Sequence, residues 1–250
     1  MATVKDIFQK LCALAPLELQ MGFDNSGFLF GRDTSTVSKA LLSLDVTDKV
    51  VDEAVDMKAE LIISHHPLIF TSLKSVTNEK LLRLAENRIA VISMHTNLDI
   101  ALGGVNDVLL NLLGAEGDEA LDPEGCGRIG LLPESLELKD FLGICKSRLN
   151  SRGLRYYDSG KPVKKLAVMG GAGGDYVQLA FDKGCDTYVT SDIKYNRFLE
   201  AAELGINLID ADHFCTENPV IPVLSAVLAE SFPEITFNVS KAHSQTVSFF

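Results

Sequence analysis

The sequence has no tryptophan and only five cysteines in 250 residues. No apolar run approaches the ~20 residues of a membrane span. Cys12, Cys126, Cys145, Cys185 and Cys215 are odd in number and scattered, and none forms a C-x-x-C pair. That pattern argues against a disulfide framework and a cysteine-built zinc site, and it points to a reducing compartment. The segment Met1 to Asp6 lacks the apolar stretch of a signal peptide, so the expectation is a soluble cytoplasmic protein with no membrane partner. Positive charge is also scarce: 23 Lys and Arg against 34 Asp and Glu leave a net charge of −11. A field of that sign repels phosphate backbones and anionic lipid, which argues against nucleic acid as a partner. A nucleotide-like substrate stays open, because a bound cation can dominate the local charge.

What is present is material for a core. Hydrophobic residues make up 46% and charged residues 23%, the composition of a folded globular chain of one large or two small domains. Val4, Ile7, Phe8, Leu11 and Leu14 share one helical face behind a Thr3 cap, with Asp6 three residues on. Short apolar runs then alternate with helical patterns: strands at 40–46, 60–64 and 89–94, helices beginning at Thr47, Asn78 and Gly104. Such alternation predicts parallel or mixed sheets covered by helices. The acidic, glycine-rich stretch 115–127 reads as a crossing into a second domain. Beyond it come strands near 128–132, 154–157, 166–169, 187–190 and 206–209, with helices between them and one running to about Ser231. Strand character returns at 235–239 and 246–250. The expected division is residues 1–120, completed by 233–250, and residues 121–232.

Chemistry gathers where strands end, the usual site position in open α/β sheets. His65 and His66 follow one strand on a turn stiffened by Pro67. His95 and Asp99 follow the next, and His213 with Glu217 follows a strand of the second half. Four of the five histidines thus fall at three strand ends. His65, His66, Asp99, His213 and Glu217 offer three imidazoles and two carboxylates, more than one four-coordinate ion takes. They suit two divalent ions sharing a carboxylate, with zinc, iron or manganese all compatible. His95 and Asn97 are candidate catalytic groups that orient ligands or substrate. Cys215 reads as packing. The run 170–174 reads as a tight strand-to-helix turn, with a phosphate cradle as the alternative. Asp24-Asn25 reads as an Asx turn or as the rim of a site. Thr190-Ser191-Asp192 reads as pocket lining or as a surface helix start. His243 reads as an ordinary surface histidine.

Four stretches resemble one family: Leu44-Asp45-Val46-Thr47, Ile63-Ser64-His65-His66-Pro67-Leu68-Ile69-Phe70, His95-Thr96-Asn97-Leu98-Asp99 and His213-Phe214-Cys215-Thr216-Glu217. They look like the NGG-interacting-factor-like proteins, often described as homologues of GTP cyclohydrolase I type 2. The resemblance covers nearly the whole chain, in order. It implies a dinuclear metal site between two α/β domains, with the five residues above as ligands. It also implies a ring-shaped homohexamer and C-terminal strands that return to the first domain. The chain departs from the family's usual pattern at Phe23, Thr190-Ser191-Asp192, Asn196 and Asp212. The function expected is a metal-dependent hydrolase on a nucleotide-like or heterocyclic substrate. The alternative is a non-enzymatic metal-binding or metal-delivery protein.

Overall fold

The structure, a computed structural model, describes residues 2–250. Helix α1 (Val4–Leu14) starts with a capping box: Thr3 Oγ1 accepts from Asp6 N, and the Asp6 carboxylate accepts from Thr3 N at 2.8 Å. Then follow β1 (Gly27–Phe30), β2 (Lys39–Ser43), α2 (Asp48–Asp56), β3 (Leu61–Ser64), α3 (Glu79–Glu86), β4 (Ala90–Ser93) and α4 (Thr96–Ile100). Next come α5 (Val105–Leu112), β5 (Glu116–Glu119), β6 (Arg128–Leu136), α6 (Leu138–Arg148), β7 (Arg155–Tyr157) and β8 (Val163–Val168). The chain continues through α7 (Val177–Asp182), β9 (Thr187–Thr190), α8 (Tyr195–Leu204), β10 (Asn207–Asp210), α9 (His213–Glu217), α10 (Val220–Ser231) and β11 (Thr236–Val239).

Two compact units result, Met1–Leu102 with Val220–Ser244, and Gly103–Pro219 with Gln245–Phe250. The first unit holds a sheet of order β1-β4-β3-β2-β11. Its β4, β3, β2 and β11 run parallel, and β1 is antiparallel at the edge. Strands β2, β3 and β4 are buried on both faces, which is why they read as continuous apolar runs. One face packs on α2 and α3 through Leu41, Val50, Ala54, Ile62, Leu84 and Val91. The C-terminal strand does return to this sheet: β11 lies beside β2, pairing Val239 with Leu42.

The second unit holds a mixed sheet of order β5-β6-β8-β9-β10-β7, in which only β8, β9 and β10 run parallel. Leu110, Phe141, Cys145, Val168, Val189 and Ile209 sit in its core.

The units divide elsewhere than the composition suggested, because cores and not acidic stretches set the boundary. Helix α5 belongs with the second unit, since Leu109 and Leu110 enter that core and Asp107 pairs with the buried Arg128 of β6 at 2.6 Å. The stretch placed at a crossing contains β5, an exposed, acidic edge strand, a composition that blunts edge pairing. Helix α10 packs on β11 and β2 and so belongs with the first unit. Residues 246–250 form no strand. That segment is held by side chains instead, with Gln245 Oε1 accepting from Arg152 N at 3.1 Å and the Phe249 ring against Gly153.

Candidate functional site

In the first unit three parallel strands end in register, with Ser43 opposite Ser64 and Ser64 opposite Ser93. The residues that leave them therefore emerge side by side: Asp45 after β2, His65 and His66 after β3, His95 after β4. The turn at the histidines is braced from within. Ser64 Oγ donates to the His66 carbonyl at 2.8 Å and lies 2.8 Å from Ser93 Oγ. The three imidazole centroids lie 5.1–5.5 Å apart, and one ligand atom from each falls within 4.8 Å of the others.

Hydrogen bonds at Nδ1 decide which nitrogen that can be. His65 Nδ1 lies 2.8 Å from the Met94 carbonyl, which only accepts, so Nδ1 carries the proton and Nε2 the lone pair. His66 Nδ1 is 2.7 Å from Asp45 Oδ1, and His95 Nδ1 is 2.7 Å from Asp24 Oδ1. Burial alone would raise both aspartates. Hydrogen bonds from His95 and Thr96 outweigh it at Asp24, and those from His243 and His66 outweigh it at Asp45, so both stay well below the usual carboxylate range. Both are therefore acceptors, and His66 and His95 also present Nε2. Carboxylate or carbonyl at one nitrogen and a ligand at the other is the usual arrangement of metal-bound histidine.

Helix α4 then brings Asp99 Oδ1 to 3.6 Å from His65 Nε2. The Asp24 carboxylate anchors this helix, accepting from Thr96 N at 3.0 Å and from Ser26 Oγ at 2.8 Å.

In the second unit His213 and Glu217 lie one turn apart on α9, with Nε2 3.0 Å from Oε2. His213 Nδ1 is 2.7 Å from Asp192 Oδ2. Burial would lower His213, but Asp192 and Glu217 on its two nitrogens raise it to about 10. A divalent cation between Nε2 and Glu217 would replace that proton, so the pair fits an ion on charge and donor chemistry. Glu217 itself needs the glycine turn after β8. A Cβ on Gly171 would stand 2.2 Å from Glu217 Oε1, and Gly171 sits at φ +66°. Three of the turn's amides are already engaged: Gly170 N donates to Asn106 Oδ1 at 2.9 Å, Gly171 N to Thr216 Oγ1 at 3.1 Å and Gly173 N to Thr190 Oγ1 at 2.9 Å. It is a tight turn shaped to admit Glu217, not a phosphate cradle.

A profile of the Duf34/NIF3 (NGG1p interacting factor 3) family matches residues 2–247. The chain belongs to this family. A Clostridium perfringens relative called a GTP cyclohydrolase 1 type 2 homolog is 34% identical over 98% of this chain and 99% of its own length. A Helicobacter pylori relative called GTP cyclohydrolase 1 type 2 is 32% identical over 91% of this chain and 92% of its own. A solved Staphylococcus aureus structure superposes with a TM-score of 0.91 at 26% identity, covering 100% of this chain and 99% of that one. A Bacillus cereus protein related to NIF3 shares the fold, with a TM-score of 0.92 at 24% identity over 100% and 99% of the two chains.

Within this NIF3-family chain, His65, His66, His95 and Asp99 come together in one unit, and His213 and Glu217 come together in the other. Asn97 is turned away from them: it is fully buried and its amide donates to the Ala15 carbonyl at 2.8 Å, bracing the helix that carries Asp99. Cys215 is buried, with its thiol pushed up to about 12 by burial and then by Asp212, and it packs in the second core. Asp24 is the anchor of the site's rim, so the Asx-turn alternative is the lesser part of its role. Asp192 lines the site through His213. His243 is not a surface residue: Nε2 lies 2.7 Å from Asp45 Oδ2 and its side chain is 11% exposed. Sequence reasoning quoted Asp45 within a family stretch but gave it no role in the site, and it read His243 as a surface residue. For Asp45 the signal was its place at a strand end beside the histidines; for His243 there was none.

Proposed function

We propose that this chain is a dinuclear metal-dependent hydrolase acting on a nucleotide-like or heterocyclic substrate, with His65, His66, Asp99, His213 and Glu217 holding two divalent ions. The reading rests on His65, His66 and His95 at neighbouring strand ends, each held by a hydrogen bond at Nδ1 that leaves Nε2 to take a metal ion or, at His95, a proton. The names of the Clostridium perfringens and Helicobacter pylori relatives support the substrate class. The donor set lacks thiolate and suits zinc, iron or manganese alike. Bound ions would supply Lewis acidity and a nucleophilic water at neutral pH. His95, held by Asp24, keeps its proton on Nδ1 and can accept or return a proton at Nε2. Asp192 and Asp45 fix the rings of His213 and His66. The family resemblance further suggests a ring of six copies, which native mass spectrometry tests.

Elemental analysis of protein purified without chelator, followed by a nucleotide panel, tests the main claim. Two ions per chain and release of a GTP-derived product are expected. One ion per chain at saturation would remove the dinuclear claim. Two ions without turnover across the panel would leave a metal-binding or metal-delivery protein.

A further inference from the structure

Strand β11 runs parallel to β2, so the chain leaves both strands at the same edge of the first sheet. Ser240 N still bonds to the Leu42 carbonyl at 2.8 Å. Beyond that point the ladder ends, and Glu53 of α2 takes over: its carboxylate accepts from Ser240 Oγ, from Lys241 N at 3.0 Å and from Ala242 N at 3.2 Å. This anchor delivers His243 to the exit of β2, where Asp45 stands. Asp45 bridges two imidazoles, Oδ1 to His66 Nδ1 and Oδ2 to His243 Nε2, each at 2.7 Å. The Asp45 side chain is 39% exposed and His243 only 11%. A carboxylate with that much exposure can turn about its last bond and exchange partners with water. A buried donor on its second oxygen removes that freedom.

We propose that His243 is a positioning residue for the metal centre: by holding the Asp45 carboxylate it keeps the proton of His66 on Nδ1 and aims Nε2 at the ion. The inference rests on the reading of His66 as a ligand. His243 itself touches neither ion nor substrate, and it acts through Asp45. Outer partners of this kind typically contribute about ten- to hundredfold in metal affinity.

The test uses His243→Leu, which keeps bulk without a donor, and His243→Gln, whose amide can donate to Asp45. Zinc affinity is measured on the full chain by competition with a chromophoric chelator. The His66 tautomer is read by nitrogen-15 NMR on metal-free protein, and melting of the metal-free proteins is compared. Expected results are a weakening of about ten- to hundredfold for His243→Leu, recovery of most of it in His243→Gln, and near-equal melting of all three. His66 is expected as the Nδ1–H tautomer in wild type and as a mixture in His243→Leu. In an Asp45→Ala background, His243→Leu should add nothing. Wild-type affinity in His243→Leu, no recovery in His243→Gln, or additive losses would overturn the proposal. Failure of wild type to bind metal would instead overturn the reading of the site, and the His66 tautomer would still decide the role of His243.

Discussion

At the scale of single residues, small geometric demands decide what the candidate ligands can do. Gly171 is the sharpest case. Its left-handed backbone costs a residue with a Cβ about 1 kcal/mol, and its Cβ would collide with the Glu217 carboxylate at 2.2 Å. Backbone strain and side-chain displacement act together there. Gly171→Ala is expected to lower unfolding stability by about 1–2 kcal/mol, seen in urea denaturation. It is also expected to reduce bound metal, because Glu217 must rotate away. Unchanged metal content in a folded Gly171→Ala protein would mean that Glu217 is not a ligand. The histidines show the same economy of means: each has one nitrogen assigned by a neighbour, and those neighbours are Met94, Asp45, Asp24 and Asp192.

At the scale of elements, the start of β2 is clamped by a carboxylate at the mouth of its neighbour β3. Glu60 accepts from Lys39 N at 2.9 Å, from Ser38 N at 3.1 Å and from Ser38 Oγ at 2.9 Å. Burial would raise its pKa, but those bonds outweigh it and hold Glu60 below the ordinary 4.5. A carboxylate lowered on folding contributes stability that is present above its unfolded value and lost as pH falls through its folded value. Glu60→Gln resembles the protonated form. At pH 7 it is expected to cost about 1 kcal/mol, discounted for solvent screening. The difference from wild type should shrink as pH falls below about 4.5, followed by denaturant melts across pH 3 to 7. A gap that persists at low pH would show that the carboxylate charge is not what holds the strand. The clamp bears on function because β2 carries Asp45 out of the sheet.

At the scale of the whole molecule, ions held as proposed would link metal content to stability. A ligand bound only by the folded state adds about 2.7 kcal/mol at a hundredfold excess over Kd. For a chain of this size each kcal/mol moves the melting temperature by roughly 2–4 °C. Strong chelation is expected to lower it by several degrees. Hydrogen exchange should rise around 61–67 and 210–218 together. Equal melting with and without chelator, with exchange altered in only one of those segments, would mean that the two groups do not share ions. No helix among the described residues is long and apolar enough to cross a membrane.

The sequence by itself determined most of the elements and the candidate ligands. Period and capping decide helices locally, so Thr3 with Asp6 marked α1, and short apolar runs marked β2, β3 and β4 as strands. The candidate ligands were legible because His65, His66 and Asp99 follow β3 and β4, and His213 with Glu217 follows β10, strand ends where chain order and spatial order coincide in a parallel sheet. Tertiary structure decided the rest. The unit boundary depends on which core Leu110 and α10 join, and that is a matter of packing between distant segments. Helix α4 stayed hidden because its anchor, Asp24, lies 72 residues from Thr96. The tail 246–250 alternates like a strand, yet side-chain contacts with 152–153 hold it in place of a ladder. His243 lies 198 residues from Asp45. Only the parallel return of β11 beside β2 brings the two together, and no local pattern in a chain encodes a meeting made by topology.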